Sequence, residues 1–357
     1  FSMYNPTLID FFECRSPEDM EPVEKQVFEV FAELLGKKDF LPAMKNPFRL
    51  VAPRSAGLAK KDILNEVNAL FEREIEWEGR FLIEPEWTTN SRLQTLKKLG
   101  GREFMKPDFV KILGTRARPD PSWCTEALNV ILRWIETAPS WSSDETTRNE
   151  ITKALQRENL FLTTNGRLRS LIEDDSPPLF LPSNRDIKIP SFIPLDFLSP
   201  EIGNSLEGQD LESFRKRLDQ LSECGLHPFR PREIVKEAIL PLFSRVGDSI
   251  NSDPSFEKGL LLFLARLAPN EKKFHNTEPY PWFDDMRTQL AYKVCVPTEN
   301  GQWLPAWKVY ASKEWGAPDE LIEIYKDIRN TNFLASPNDN IHNGIPVEEW
   351  KSLYRYL

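Results

Sequence analysis

The sequence predicts an α+β, helix-dominated chain of tandem degenerate repeat units, each several helices closed by a small β-hairpin. Three landmarks that recur in the same order predict it, because self-similarity along a chain signals an array of modules. The first is an Asn-Gly turn between apolar runs: Phe161-Leu162-Thr163-Thr164-Asn165-Gly166-Arg167-Leu168, and again Val296-Pro297-Thr298-Glu299-Asn300-Gly301-Gln302-Trp303. Phe40-Leu41-Pro42-Ala43-Met44-Lys45 matches Trp303-Leu304-Pro305-Ala306-Trp307-Lys308 position for position. The second landmark is a helix end at Gly followed by Phe and Pro: Leu96 to Gly100, Phe104 and Pro107, then Leu221 to Gly225, Phe229 and Pro231. The third opens each unit: Phe81-Leu82, Phe180-Leu181 and Phe333-Leu334.

The elements follow from local pattern. Ser16-Pro17-Glu18-Asp19 reads as a capped helix start, with Val23, Val27, Phe31 and Leu34 at helical spacing behind it. Ile63, Val67, Leu70 and Phe71 form a second amphipathic face; Trp123, Ala127, Ile131 and Trp134 a third; Leu211, Phe214, Leu218 and Leu221 a fourth. Asp253-Pro254 opens an apolar helix through Leu260, Leu264 and Leu267. Gly100 and Gly225 sit where a helix C-terminus takes a left-handed residue, and Pro107 and Pro231 where a first turn tolerates proline. Each Asn-Gly pair predicts a type I′ hairpin turn, with positive φ at both central residues. The proline-rich stretch 173–200 is expected to be ordered, since Phe180, Ile187, Ile189, Phe192, Ile193 and Phe197 need burial.

The landmarks divide the chain into 1–78, the tail of a preceding unit; 79–175 and 176–332, two full units; and 333–357, the start of a third. A fragment of a longer protein is therefore expected.

Bulk properties narrow the function classes. A chain of 357 residues, 40% hydrophobic and 28% charged, can bury more than one domain-sized core. No apolar run approaches the roughly 20 residues of a membrane span, and Phe1-Ser2-Met3-Tyr4 begins no signal peptide. Cys14, Cys124, Cys224 and Cys295 are far apart and read as reduced thiols, so a cytoplasmic setting is expected. A net charge of −9 argues against dominant phosphate binding. Cations nevertheless cluster at 97–118, including Lys97, Lys98, Arg102 and Lys106, and at 215–236, including Arg230 and Arg232. They read either as a solvated helical face or as a basic surface for an acidic partner or nucleic acid.

Chemistry-bearing motifs are not found. The chain has no GxxxxGK[ST], no GxGxxG, no HExxH and no cysteine pair at zinc spacing. His227, His275 and His342 are isolated. Glu173-Asp174-Asp175 reads as a solvated turn, and Asp284-Asp285 as a helix start. No catalytic residue, metal or cofactor is expected. Trp303 and Trp307 are expected on one strand face, either packing on helices or offering an aromatic platform.

With these landmarks in order, the chain resembles the repeat region of large sacsin-like multidomain proteins. The resemblance rests on Val296-Pro297-Thr298 through Gly301, Trp303, Pro305-Ala306 and Val309-Tyr310, and on Trp315-Gly316. Phe333-Leu334 with Trp350 and Leu353, and the 221–231 stretch, complete it. It covers most of 79–357. The first unit departs from it, with Leu162 in place of Pro297 and Leu168 in place of Trp303. The resemblance implies a protein that carries an ATPase domain near its N-terminus and does chaperone-like work or, in microbial relatives, defence against foreign elements. That family's ATPase motifs are absent here, so ATP hydrolysis is not implied for this chain. The expected function is a non-catalytic interaction or scaffold region that binds a protein or other domains of the same longer chain. A nucleic-acid module using the basic helices is the alternative, and no membrane partner is expected.

Overall fold

The computed structural model describes residues 26, 29–30, 33–138, 143–174, 176–182, 189–246, 254–272, 286–326 and 331–357. It is mixed α+β, about half helical with small sheets. Residues 16–19, Val23, Val27 and Phe31 lie outside these residues, as do Cys14, Ile187, Asp253, His275, Asp284 and Asp285.

The chain divides into two compact units. Unit 1 takes Phe1–Asp174 and Leu198–Gly225; unit 2 takes Asp175–Phe197 and Leu226–Leu357. The division between Asp174 and Asp175 falls within one residue of the landmark at 176, the landmarks at 79 and 333 have no counterpart, and Leu198–Gly225 returns to unit 1.

Unit 1 starts with an antiparallel hairpin, β1 (Leu41–Ala43) and β2 (Asn46–Val51). β3 (Ala56–Leu58), α1 (Lys61–Val67), β4 (Glu76–Trp77) and β5 (Arg80–Leu82) follow. α2 (Asn90–Lys98) ends toward Gly100, at φ +98°, and the chain enters β6 (Arg102–Glu103). The strands order as β4-β5-β3-β6, with β5, β3 and β6 parallel. Leu41 of the hairpin, Ala56 and Leu58 of β3, Ile83 and Leu96 of α2 are fully buried in one core cluster.

Three helices complete the run: α3 (Lys106–Thr115), α4 (Pro121–Thr137) and α5 (Ser143–Arg157). The Asp120 carboxylate accepts the Ser122 N–H at 3.0 Å and Pro121 takes the first turn, which starts α4 where its free amides need an acceptor. The predicted stripe Trp123, Ala127, Ile131 and Trp134 is buried. Its indoles are satisfied: Trp123 Nε1 donates to Leu70 O at 3.1 Å, and Trp134 Nε1 to Glu66 at 2.6 Å. β7 (Phe161–Leu162) and β8 (Leu168–Arg169) form the second hairpin.

Beyond it come β9 (Leu179–Phe180) and β10 (Asp196–Phe197), then α6 (Gly208–Asp219) of unit 1, left-handed Gly225 and β11 (Leu226–His227). β10, β9 and β11 are parallel, with β9 in the middle. α7 (Pro231–Ile234) widens into a π turn over Val235–Ile239 before α8 (Leu240–Val246). Pro241 lies just beyond the π turn, and its ring does not fit an unbroken α ladder. α9 (Pro254–Lys272) and α10 (Arg287–Lys293) lead to the third hairpin, β12 (Cys295–Pro297) with β13 (Trp303–Pro305). β14 (Val309–Tyr310), α11 (Asp319–Lys326), β15 (Asn332–Phe333) and α12 (Val347–Tyr356) end the chain. β14 and β15 are parallel. The core of unit 2 gathers Phe180, Ile234, Leu260, Leu264, Val296 and Trp350, all nearly inaccessible to solvent.

The stretch 173–200 is ordered where described: Phe180 and Ile193 are buried, and Ile189, Phe192 and Phe197 pack on the unit 2 core.

Two sequence expectations are corrected. The Asn-Gly turns are not type I′, because only Gly166 and Gly301, both at φ +74°, are left-handed; Asn165 and Asn300 are not. Gly166 N–H donates to Thr163 O and Gly301 N–H to Thr298 O, both at 2.9 Å. Thr163 N–H and Thr298 N–H donate to Arg167 O and Gln302 O at the same distance. That is a type I turn followed by one left-handed residue, which closes a three-residue loop with a bulge. The Thr163 and Thr298 hydroxyls add a bond to the same carbonyls, at 3.0 and 2.9 Å.

The second correction concerns the third landmark. Antiparallel bridges tie each hairpin to a later residue: Ala43 to Ile83, Thr163 to Leu198, and Thr298 to Leu334. Phe197-Leu198 therefore takes the place that Phe180-Leu181 was expected to hold. Phe180 belongs to the middle strand of its ladder.

Candidate functional site

Exposed apolar side chains of unit 2, among them Trp307, Tyr310 and Leu321, gather around β14. Pro305 ends β13, and Ala306–Lys308 form one 3-10 turn before β14. That turn throws Trp307 outward, 51% exposed, while Trp303 stays on β13 against the core. The expected shared strand face of Trp303 and Trp307 is thus overturned: only one of them is on a strand. Trp307 packs instead against Tyr292 of α10, ring centroids 5.1 Å apart, and the Lys308 ammonium sits 5.0 Å from its ring. Tyr310 stacks on Tyr325 of α11 at 4.1 Å.

Two cavities meet at Tyr310 and Ala311. One, of about 230 Å³, is lined by Pro318, Leu321, Ile322, Tyr325 and Phe333. The other, of about 210 Å³, is lined by Val296, Trp307, Leu334, Tyr354 and Leu357. Phe333 and Leu334 are consecutive, so they point to opposite faces of the ladder and the cavities lie one on each face. Tyr292 and Tyr325 were not singled out by sequence, and Tyr310 only as the end of the 296–310 motif. They are far apart along the chain and share no period.

In unit 1 the basic residues lie among acidic and aromatic neighbours. Lys97, on the last turn of α2, pairs with Glu103 at 2.7 Å. Arg102 pairs with Glu78 and lies 3.8 Å from Asp108. Lys98 is exposed beside Lys97. The Lys106 ammonium lies 5.7 Å from the Trp134 ring. In unit 2, Arg230 and Arg232 are exposed on either side of Pro231 at the start of α7. Acidic neighbours in unit 1 therefore offset much of the charge that the sequence clusters there.

The remaining reactive groups are held quiet by burial. Burial pushes the Cys124 thiol up to about 11, and Cys295 up to about 12 with Glu257 adding to the shift. A thiol so held favours its protonated form at neutral pH. Glu173 pairs with Arg167 and lies 3.6 Å from buried Arg169. His227 is half-buried, its ring 5.5 Å from that of Phe180, and burial holds its pKa below the ordinary value. His342 is buried and uses both ring nitrogens, on Ser336 O and on Tyr354. Among the described residues no three His, Cys, Asp or Glu side chains converge as a metal site, and no helix is long and apolar enough to cross a membrane.

The surface around β14 can therefore bind by apolar contact, aromatic stacking and backbone pairing. No protein-family model, curated protein or solved structure matches the chain.

Proposed function

We propose that the chain is a non-catalytic interaction or scaffold region of a larger sacsin-like, ATPase-linked protein, built of tandem degenerate units and serving chaperone-like or anti-foreign-element work. The observation that carries this reading is one order of elements met three times. A hairpin is bridged to a later residue (Ala43 to Ile83, Thr163 to Leu198, Thr298 to Leu334), and that residue follows a strand parallel to one lying just after the hairpin. Like modules in series offer extended surface for partners and no single converging site. The free thiols Cys124, Cys224 and Cys295 accord with an intracellular setting.

Titration of the chain with short labelled DNA and RNA at low salt tests this reading against the nucleic-acid alternative. No binding is expected. The reading would be replaced by binding that falls steeply with salt, with a slope that Lys97→Ala, Arg102→Ala, Arg230→Ala and Arg232→Ala each reduce by roughly one.

A further inference from the structure

Among the described residues β3 and β9 have a parallel strand on both edges, and β14 has one on a single edge. Gly57 of β3 pairs with Leu82 on one side and Arg102 on the other. Phe180 of β9 pairs with Phe197 and with His227. In both ladders the covering strand, β6 or β11, follows a left-handed glycine and runs into an aromatic residue and a proline-started helix. Phe104 is fully buried and its N–H donates to Leu58 O at 2.6 Å; Phe229 meets Phe180 edge-on at 6.2 Å.

β14 has β15 on one side and, among the described residues, no strand on the other. Tyr310 pairs with Phe333 as Gly57 does with Leu82 and Phe180 with Phe197. Gly57 and Phe180 are buried, whereas Tyr310 is 40% exposed. The next residues differ in the same way. Leu58 O accepts the Phe104 N–H, and Leu181 N–H donates to His227 O at 2.9 Å. Ala311 is exposed, and among the described residues neither its N–H nor its C=O has a backbone partner. The two cavities that meet at Tyr310 and Ala311 open on the faces beside this edge.

We propose that the open edge of β14 binds an extended polypeptide segment as a parallel third strand. Its backbone pairs with the Val309 C=O and with the N–H and C=O of Ala311, because the Tyr310 C=O already accepts the Leu334 N–H at 2.9 Å, and its aromatic residue fills one of the adjoining cavities. The occupant has the character of the two segments that cover β3 and β9: glycine, a short extended run, Phe, then proline, with cations around the aromatic. Charge supports that choice. The covering segments carry Arg102 and Lys106, or Arg230 and Arg232, and the α11 side of the edge carries exposed Glu320 and Glu323. Strand addition supplies main-chain hydrogen bonds for affinity and side-chain pockets for selectivity. The proposal deepens the interaction-region reading and rests on its tandem organisation.

The probe is a labelled peptide with this chain's own 225–232 sequence, titrated into the full chain. Saturable binding is expected, weaker by about tenfold for a scrambled peptide and for one with the Phe229 position changed to Ala. Ala311→Pro removes the amide and is expected to weaken binding by a similar factor, about tenfold, with the circular dichroism spectrum unchanged. Tyr310→Lys is a second variant for the same loss. The proposal is overturned if the peptide does not bind, if the scrambled peptide binds equally, or if Ala311→Pro has no effect. It is also overturned if the chain forms a dimer that Tyr310→Lys disperses, which would give the edge to a second copy. Peptide failure without nucleic-acid binding removes this site and leaves the wider reading in place. Nucleic-acid binding removes the wider reading itself.

Discussion

His342 and Tyr354 share a 2.8 Å hydrogen bond between the imidazole Nε2 and the phenol oxygen. The other nitrogen, Nδ1, lies 3.0 Å from Ser336 O, which can only accept, so Nδ1 carries the proton and Tyr354 O–H donates to Nε2. Trp315 and Trp350 meet the imidazole edge-on at 5.0 and 4.9 Å, and Trp350 Nε1 donates to His342 O at 3.1 Å. Protonation would force the Tyr354 hydroxyl to turn and accept from Nε2, and would place a charge among buried aromatic rings.

Burial holds the His342 pKa below its ordinary value, and holds His227 below it as well. The unfolded chain therefore takes up protons at a pH where the folded chain does not. The associated stability is complete above the ordinary histidine pKa and is lost as pH falls below it. The melting temperature is expected to drop between about pH 7.5 and about pH 5.5. His342→Gln should lower stability at neutral pH by roughly 1–3 kcal/mol and shrink that drop; His227→Gln combined with it should shrink it further. Equal pH dependence in wild type and the double variant would contradict the assignment.

Glu257 of α9 is 1% exposed, and neither carboxyl oxygen has a hydrogen bond of normal geometry. Burial is the larger effect and raises its pKa; the Cys295 thiol and amide beside it offset part of the shift. The folded chain favours the protonated acid, so its contribution to stability is lost as pH rises above the ordinary carboxylate range. Glu257→Gln is expected to stabilise the chain by roughly 1 kcal/mol at about pH 8 and by little at about pH 5. Urea denaturation at the two pH values measures it, and a loss of stability at the higher pH would refute it.

Gly301 has φ +74°, and an added Cβ would meet no atom within 4 Å. Any cost of substitution is therefore backbone strain. Gly301→Val is expected to lose about 1–2 kcal/mol, because a β-branched residue resists positive φ. Gly301→Asn should lose less than half as much. Gly166 has the same φ and the same empty surroundings, so its Val variant should behave alike. Unchanged melting of both Val variants would count against the left-handed turn.

Gly57 poses the opposite problem. A Cβ there would overlap the ring of Phe104, which is itself fully buried. Gly57→Ala is expected to cost about 1–3 kcal/mol from overpacking. Combining it with Phe104→Leu should give a double variant more stable than the sum of the two single losses, since removing the ring frees the space. Strict additivity in chemical denaturation would show that the close approach is not the cause.

Helices that bury a long stripe were legible. Trp123, Ala127, Ile131 and Trp134 repeat over several turns, so the period is overdetermined and no partner is needed to read it. The hairpins were legible from Asn-Gly, although whether one or both residues turn left-handed depends on loop length, which the dipeptide does not fix. The candidate site was barely legible. Trp307 was noticed, but its exposure comes from a 3-10 turn after Pro305, and its partner Tyr292 lies on another element. The pairing of Phe180 with Phe197 and His227 was missed, because strands of two residues show no alternation to count.

The sequence by itself determined the local events: where helices start on Pro or an Asp cap, where Gly ends them, and which short loops reverse the chain. These rest on φ, on free amides and on periods within a few residues, all of which are properties of neighbours. Only the tertiary structure decided which short strands lie side by side, that Arg102 meets Glu78 and that Tyr310 keeps one edge uncovered. Parallel pairing joins segments far apart along the chain, and a two-residue strand carries too little pattern to name its neighbour.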